Sequence, residues 1–120
     1  IDGHLGSYEN LLYGYTDEAK TELLKTLCLD ESVTEKTPPA FLWTTAEDKC
    51  VPPSNALRYA MALNKVGVPY ELHVYPKGGH GLSTCLPEVN YGNAAYVRNA
   101  VWMQDCASFF LSFCHKQFND

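Results

Sequence analysis

Two residues of this 120-residue sequence have the chemistry of a proton-transfer pair, Asp48 and His80. His80 lies in Gly78-Gly79-His80-Gly81, where the glycines let the backbone turn sharply and leave the imidazole open. Imidazole titrates near neutral pH and is the usual general base. Asp48 lies in the turn sequence Ala46-Glu47-Asp48-Lys49-Cys50-Val51-Pro52. A carboxylate bonded to an imidazole fixes its tautomer and stabilises the imidazolium formed when the ring takes a proton. Asp48 and His80 thus have the composition of the acid–base half of a Ser-His-Asp system. Glu47 is a rival for the acid, and Asp48 is preferred.

The nucleophile is not evident. No Gly-x-Ser-x-Gly occurs, and no HGGG-type oxyanion loop. Ser54 sits at an expected helix cap, Ser7 in the opening segment and Ser83 in the loop after His80. Ser32, Ser108 and Ser112 are no better placed. His4, His73 and His115 have weaker claims as bases: His73 is expected in mid-strand against a helix, and His115 at a helix end. No Cys/His cluster has metal-ligand spacing, so no metal or cofactor is expected. The five cysteines, Cys28, Cys50, Cys85, Cys106 and Cys114, are read as free or buried thiols. Cys106 and Cys114 would be about two helical turns apart, too far to bridge.

Positioning Asp48 beside His80 requires particular elements. Ala40–Ala46 (AFLWTTA) is a nearly unbroken apolar and β-branched run behind Pro38 and Pro39, the pattern of a strand buried on both faces of a parallel sheet. A helix over 54–66 follows, with Gly67 where a C-terminal glycine is expected. A second strand spans 70–76, with Tyr70, Leu72 and Val74 on one face and Glu71, His73 and Tyr75 on the other. Strand, helix and strand form one βαβ unit with parallel strands. Ligands of such sheets gather at the carboxyl ends of the strands, where Asp48 and His80 both fall.

The rest supports this unit. Residues 1–15 read as loop, 17–27 as a helix capped by Thr16 or Asp17, 77–93 as a glycine-containing loop and 94–116 as one long helix. Trp43 and Trp102 are read as core residues. Two strands are too few for an independently stable sheet without extensive cover. The elements therefore read as the end of a larger doubly wound sheet, and the chain as a single partial domain over 1–120.

A net charge of −5 with no basic run argues against nucleic acid as a partner. No stretch of about 18 apolar residues is present, so no membrane span is expected. The opening IDGHLGSYENLL has no Met and no signal-peptide pattern; a cytoplasmic location is slightly favoured, with the true N-terminus expected further upstream.

The run from Thr37 to Leu82, TPPAFLWTTAEDKCVPPSNALRYAMALNKVGVPYELHVYPKGGHGL, resembles the C-terminal part of α/β-hydrolase esterases. The branch is that of acetyl and carbohydrate esterases, related to prolyl-oligopeptidase-like hydrolases. HLGSYENLLYG is similar to the segment that precedes this block in the same branch. The resemblance covers about residues 4–113; block 38–82 is specific and the last helix generic. It implies Asp48 as triad acid and His80 as triad base, in the family's order Ser, Asp, His, with Val51 and Pro52 shaping the acid's turn. It also implies an N-terminal half bearing the serine elbow and the oxyanion loop, which these residues lack.

The expected function is therefore the acid and base of a serine esterase of short acyl esters, on a small molecule or a carbohydrate. The serine lies outside this chain, which alone is expected to be inactive. The expected partners are the ester substrate and either the missing N-terminal half or a covering subunit. The alternatives are a non-catalytic α/β interaction domain and another α/β-hydrolase, such as a peptidase or a dienelactone-type enzyme.

Overall fold

A computed structural model of the chain describes residues 4–90 and 92–114. The expected extension of the last helix to 116, His115, and the first three residues of the opening segment lie outside the described residues.

The central unit is the βαβ expected from sequence. Strand β1 (Ala40–Thr45) pairs in parallel with β2 (Tyr70–Tyr75), in the register Ala40 to Tyr70 through Thr45 to Tyr75. Between them runs helix α3 (Ser54–Val66). It starts after Pro53, whose fixed φ suits a helix start, and stops at Gly67, left-handed at φ 75°. α3 packs on both strands and turns Ala60 and Leu63 inward; Leu63 is fully buried.

Helices flank this unit. α1 (Leu5–Leu11) occupies part of the segment expected to be loop. The expectation failed because Gly6 and Asn10 dilute the helical pattern, whereas a local cap supplies the start: His4 Nδ1 accepts from the Ser7 backbone N–H at 3.2 Å. α1 buries no residue. α2 (Asp17–Thr26) is capped by Thr16 as expected, and its acidic first turn suits the helix dipole. A 3₁₀ turn follows at Leu29–Glu31.

The C-terminal helix is not continuous. One turn, α4 (Ala94–Val97), tightens into a 3₁₀ turn (Arg98–Val101) before α5 (Trp102–Cys114). The tightening brings Asn99 and Trp102 onto one face, because side chains three apart eclipse in a 3₁₀ helix. α5 packs on the sheet face carrying Phe41, Trp43, His73 and Tyr75. Trp102 stacks on Trp43 with centroids 5.3 Å apart, and Phe109 meets Phe41 at 6.0 Å. Both tryptophans are half-buried rather than enclosed.

The strands are also less buried than their sequences suggest. Only Thr45 and Tyr75, at the carboxyl ends, are buried, and Val74 is 43% exposed. The sheet has two strands among the described residues, so β1 has a neighbour on one side only. The surface is correspondingly large. The chain exposes 8504 Å², against about 6,500 Å² for a compact monomer of this mass. Its radius of gyration is 17.0 Å, and it forms a slab of 49 × 45 × 21 Å. Phe110 and Leu111 on α5 are about half exposed.

Candidate active site

Asp48 and His80 meet at the carboxyl-terminal edge of the sheet. β1 ends at Thr45 and β2 at Tyr75, opposite each other in register, so the turns that follow are neighbours. The Asp48 turn is held by its own side chain. Oδ1 accepts from the backbone N–H groups of Cys50 and Val51, each at 2.9 Å. The Asp48 N–H in turn donates to the Thr45 carbonyl at 3.3 Å. Oδ2 is left for His80, whose Nδ1 lies 2.9 Å away.

The carboxylate is well shielded, with 12% of its side chain exposed, whereas the imidazole is 52% exposed. Burial alone would raise the Asp48 carboxyl. Hydrogen bonds from the Val51 N–H, from His80 and from the Cys50 N–H outweigh it and hold the group below its ordinary value. Asp48 is therefore ionised at neutral pH and accepts only. Nδ1 of His80 must then carry the ring proton, which leaves the Nε2 lone pair free to take another.

Glu47, the rival acid, is engaged elsewhere. Its Oε1 accepts from Lys77 Nζ at 2.6 Å and its Oε2 from the Gly78 N–H at 3.2 Å. The Lys77 bond, then the Gly78 bond, lowers its carboxyl.

The histidine loop is anchored at several points. Thr45 Oγ1 donates to the Gly78 carbonyl and Asn99 Nδ2 to the Lys77 carbonyl, both at 2.7 Å. Gly78 adopts φ 135°, and a Cβ there would stand 2.6 Å from Leu82 Cδ1 and 2.8 Å from Thr45 Cγ2. Beside the pair opens a cleft of about 300 Å³, walled by Asp48, Val51, Asn55, His80, Leu82 and Ser83.

Among the described residues no serine or cysteine is hydrogen-bonded to His80. Ser83 borders the cleft, but its described bonds run through its carbonyl, which accepts from Trp102 Nε1 at 3.0 Å. A serine–histidine contact does exist between Ser7 and His4, at 3.1 Å, but it is the cap of α1 and is exposed. His73 bonds Glu71 at 2.6 Å and packs on Phe41, away from the sheet edge. All five cysteines are free. Cys85 is fully buried, which pushes its thiol up and makes it a poor nucleophile. No group of three or more potential metal ligands occurs among the described residues, nor any helix long and apolar enough to cross a membrane.

Sequence reasoning missed Thr45 and Asn99 as parts of this site and read Trp102 only as core. Neither anchor carried a sequence signal: Asn99 follows Arg98 in a mixed polar and apolar stretch, and both Thr45 and Asn99 bond backbone carbonyls that no residue type marks.

The prolyl oligopeptidase family is matched over residues 7–109. An acetyl ester-xyloside bifunctional hydrolase from Caldicellulosiruptor lactoaceticus is 43% identical, with a TM-score of 0.60 over 73% of this chain and 29% of that one. The carboxylesterase Cest-2923 from Lactobacillus plantarum WCFS1 is 27% identical, with a TM-score of 0.66 over 87% of this chain and 40% of that one. Among curated proteins, endo-1,4-beta-xylanase B from Butyrivibrio fibrisolvens is 34% identical along an alignment 98 residues long that covers 72% of this chain and 15% of that protein. The chain thus spans less than half the length of each.

Proposed function

This chain belongs to the prolyl oligopeptidase family and has part of an α/β-hydrolase fold, and from that premise we propose that Asp48 and His80 are the acid and base of a serine esterase. The serine comes from outside these 120 residues, and so does the surface that covers the free side of β1. The observation that carries this reading is the 2.9 Å bond from His80 Nδ1 to Asp48 Oδ2, at the carboxyl ends of two adjacent parallel strands.

The proton route follows from the tautomer. As the serine oxygen attacks the ester carbonyl, its proton passes to Nε2 of His80, and Asp48 stabilises the imidazolium. Collapse of the tetrahedral intermediate breaks the bond to the alcohol, which leaves with that proton. The acyl group is now on serine. Nε2 next takes a proton from water as it attacks the acyl carbon, then returns it to the serine oxygen as the acid departs. Every proton moves through His80, and the steps require no metal or cofactor.

The substrate is a short acyl ester, and a carbohydrate is its expected carrier. Support comes from the 43% identical relative, whose name joins acetyl ester and xyloside hydrolysis. The cleft of about 300 Å³ is at the small end of ligand sites, which suits a short acyl group. The family's name also includes peptidases, so peptide hydrolysis by the same pair is the second reading.

The test joins these residues to the segment carrying a Gly-x-Ser-x-Gly elbow and follows p-nitrophenyl acetate, p-nitrophenyl octanoate and a prolyl peptide. Fast turnover of the acetate, lost on His80→Ala, is expected. Preferential peptide cleavage would favour the second reading, and full activity in His80→Ala would overturn both.

A further inference from the structure

His80 is carried by a loop whose backbone is gripped from outside by four side chains of two other segments. On the N-terminal side, the Lys77 carbonyl accepts from Asn99, and the Gly78 carbonyl from Thr45, both at 2.7 Å. The Gly78 N–H donates to Glu47 at 3.2 Å. On the C-terminal side, the Ser83 carbonyl accepts from Trp102 Nε1 at 3.0 Å. Asn99 and Trp102 share one face across the 3₁₀ turn, so a single short segment grips the loop both before and after His80.

Several features show that this grip is built rather than incidental. Asn99 is 1% exposed and Thr45 2%, so each side-chain donor is removed from water and depends on its carbonyl. Gly78 leaves no room for a Cβ between Leu82, Thr45 and Asn99, so two of the anchors, Thr45 and Asn99, close directly on the backbone. Ser83 stands at φ 46° and Cys85 at φ 61°. Non-glycine residues hold such angles only where the surroundings impose them. Thr45 acts on both partners of the pair. Its hydroxyl fixes the histidine loop while its carbonyl accepts from the Asp48 N–H at 3.3 Å.

We propose that Thr45, Asn99 and Trp102 are positioning residues for His80, holding its imidazole in the register that lets Nδ1 reach Asp48. This rests on the acid–base role given to the pair above. His80 is half exposed, so little packing confines the ring, and its aim depends on the backbone beneath it. Displacements of about 1 Å in such a group cost rate heavily.

The experiment reads the His80 ring in the full chain. Long-range ¹H–¹⁵N correlation at about pH 8, above the ordinary imidazole range, identifies which ring nitrogen carries the proton, and His80→Ala assigns the signal. The wild-type ring is expected as the Nδ1–H tautomer. Thr45→Val and Asn99→Leu each remove one anchoring donor at similar size, and Trp102→Phe removes the indole N–H together with part of the ring that stacks on Trp43. They are expected to move the ring toward the Nε2–H tautomer or a mixture, with amide signals remote from residues 77–85 unchanged. Thr45→Ser, which keeps the hydroxyl, is expected to restore the wild-type ring. Folded variants that all retain the Nδ1–H tautomer would overturn the proposal. Should Asn99→Leu fail to fold, the Thr45→Val and Thr45→Ser pair with Trp102→Phe decides. The catalytic role itself is read separately, from ester turnover after His80→Ala, so failure of one reading is not failure of the other.

Discussion

Asp48 and His80 are separated by 32 positions in sequence and by 2.9 Å in space, Oδ2 to Nδ1. The contact exists because β1 and β2 are parallel and end in register, Thr45 opposite Tyr75. The other carboxylate oxygen is fixed by two backbone N–H groups, so the acid is aimed before the histidine arrives.

Asp48→Asn keeps the shape of the acid but presents an amide to Nδ1. In the serine-containing hydrolase, kcat for p-nitrophenyl acetate is expected to fall by about 10⁴, because the ring is left in the wrong tautomer. KM should change little, since the acid does not touch substrate. Glu47→Gln, whose carboxylate faces Lys77 instead, is expected to fall far less. Equal losses for the two would remove the distinction between them.

Acid stability offers an independent check. The folded Asp48 carboxyl lies below its ordinary value through its bonds to Val51, His80 and Cys50. A depressed folded value stabilises the protein fully above the unfolded value of about 3.9 and is lost as pH falls through the folded value. Urea midpoints of the wild-type chain should therefore drop between about pH 5 and pH 2. Asp48→Asn should start lower at neutral pH and show a shallower drop, so that the two curves converge in acid. Parallel curves would contradict the assignment.

Gly78→Ala should be costly although it adds one methyl group. The new Cβ meets Leu82 and Thr45 at 2.6 and 2.8 Å, and φ 135° is left to glycine almost alone. A loss of roughly 2 kcal/mol or more is expected by urea unfolding. Gly79→Ala, with nothing within 4 Å of its Cβ, is expected to be nearly neutral.

The βαβ core should depend on Leu63, which is fully buried where α3 meets the strands. Leu63→Ala is expected to cost about 2–5 kcal/mol. Met61→Ala, two residues along the same helix and 71% exposed, should stay within about 0.5 kcal/mol. Similar costs at both positions would mean that α3 packs by another face.

The sequence showed the βαβ unit because each boundary had a physical mark: Pro38 and Pro39 before β1, Pro53 before α3, Gly67 after it. The Asp48–His80 pairing was legible for the same reason, since parallel neighbours end at one edge. Strand burial was misjudged on β1, where Thr45 alone is buried and Ala40 to Thr44 are half-buried. An apolar run reports the burial a strand is suited to, whereas actual burial depends on neighbours, and β1 has one among the described residues. α1 escaped notice because its start rests on a His4 cap, outside the usual Ser, Thr, Asp and Asn signals. Asn99 was invisible as an anchor because its partner, the Lys77 carbonyl, is a backbone atom, 22 residues earlier, that no residue type marks.

The central claim is that these residues supply acid and base to a serine held elsewhere. The most direct measurement is p-nitrophenyl acetate turnover by the purified 120-residue chain, with and without the segment bearing the serine elbow. No turnover by the chain alone, and turnover with the segment that disappears on His80→Ala, is the expected result. Turnover by the chain alone that is lost on His80→Ala would contradict it, because the nucleophile would then lie within these residues.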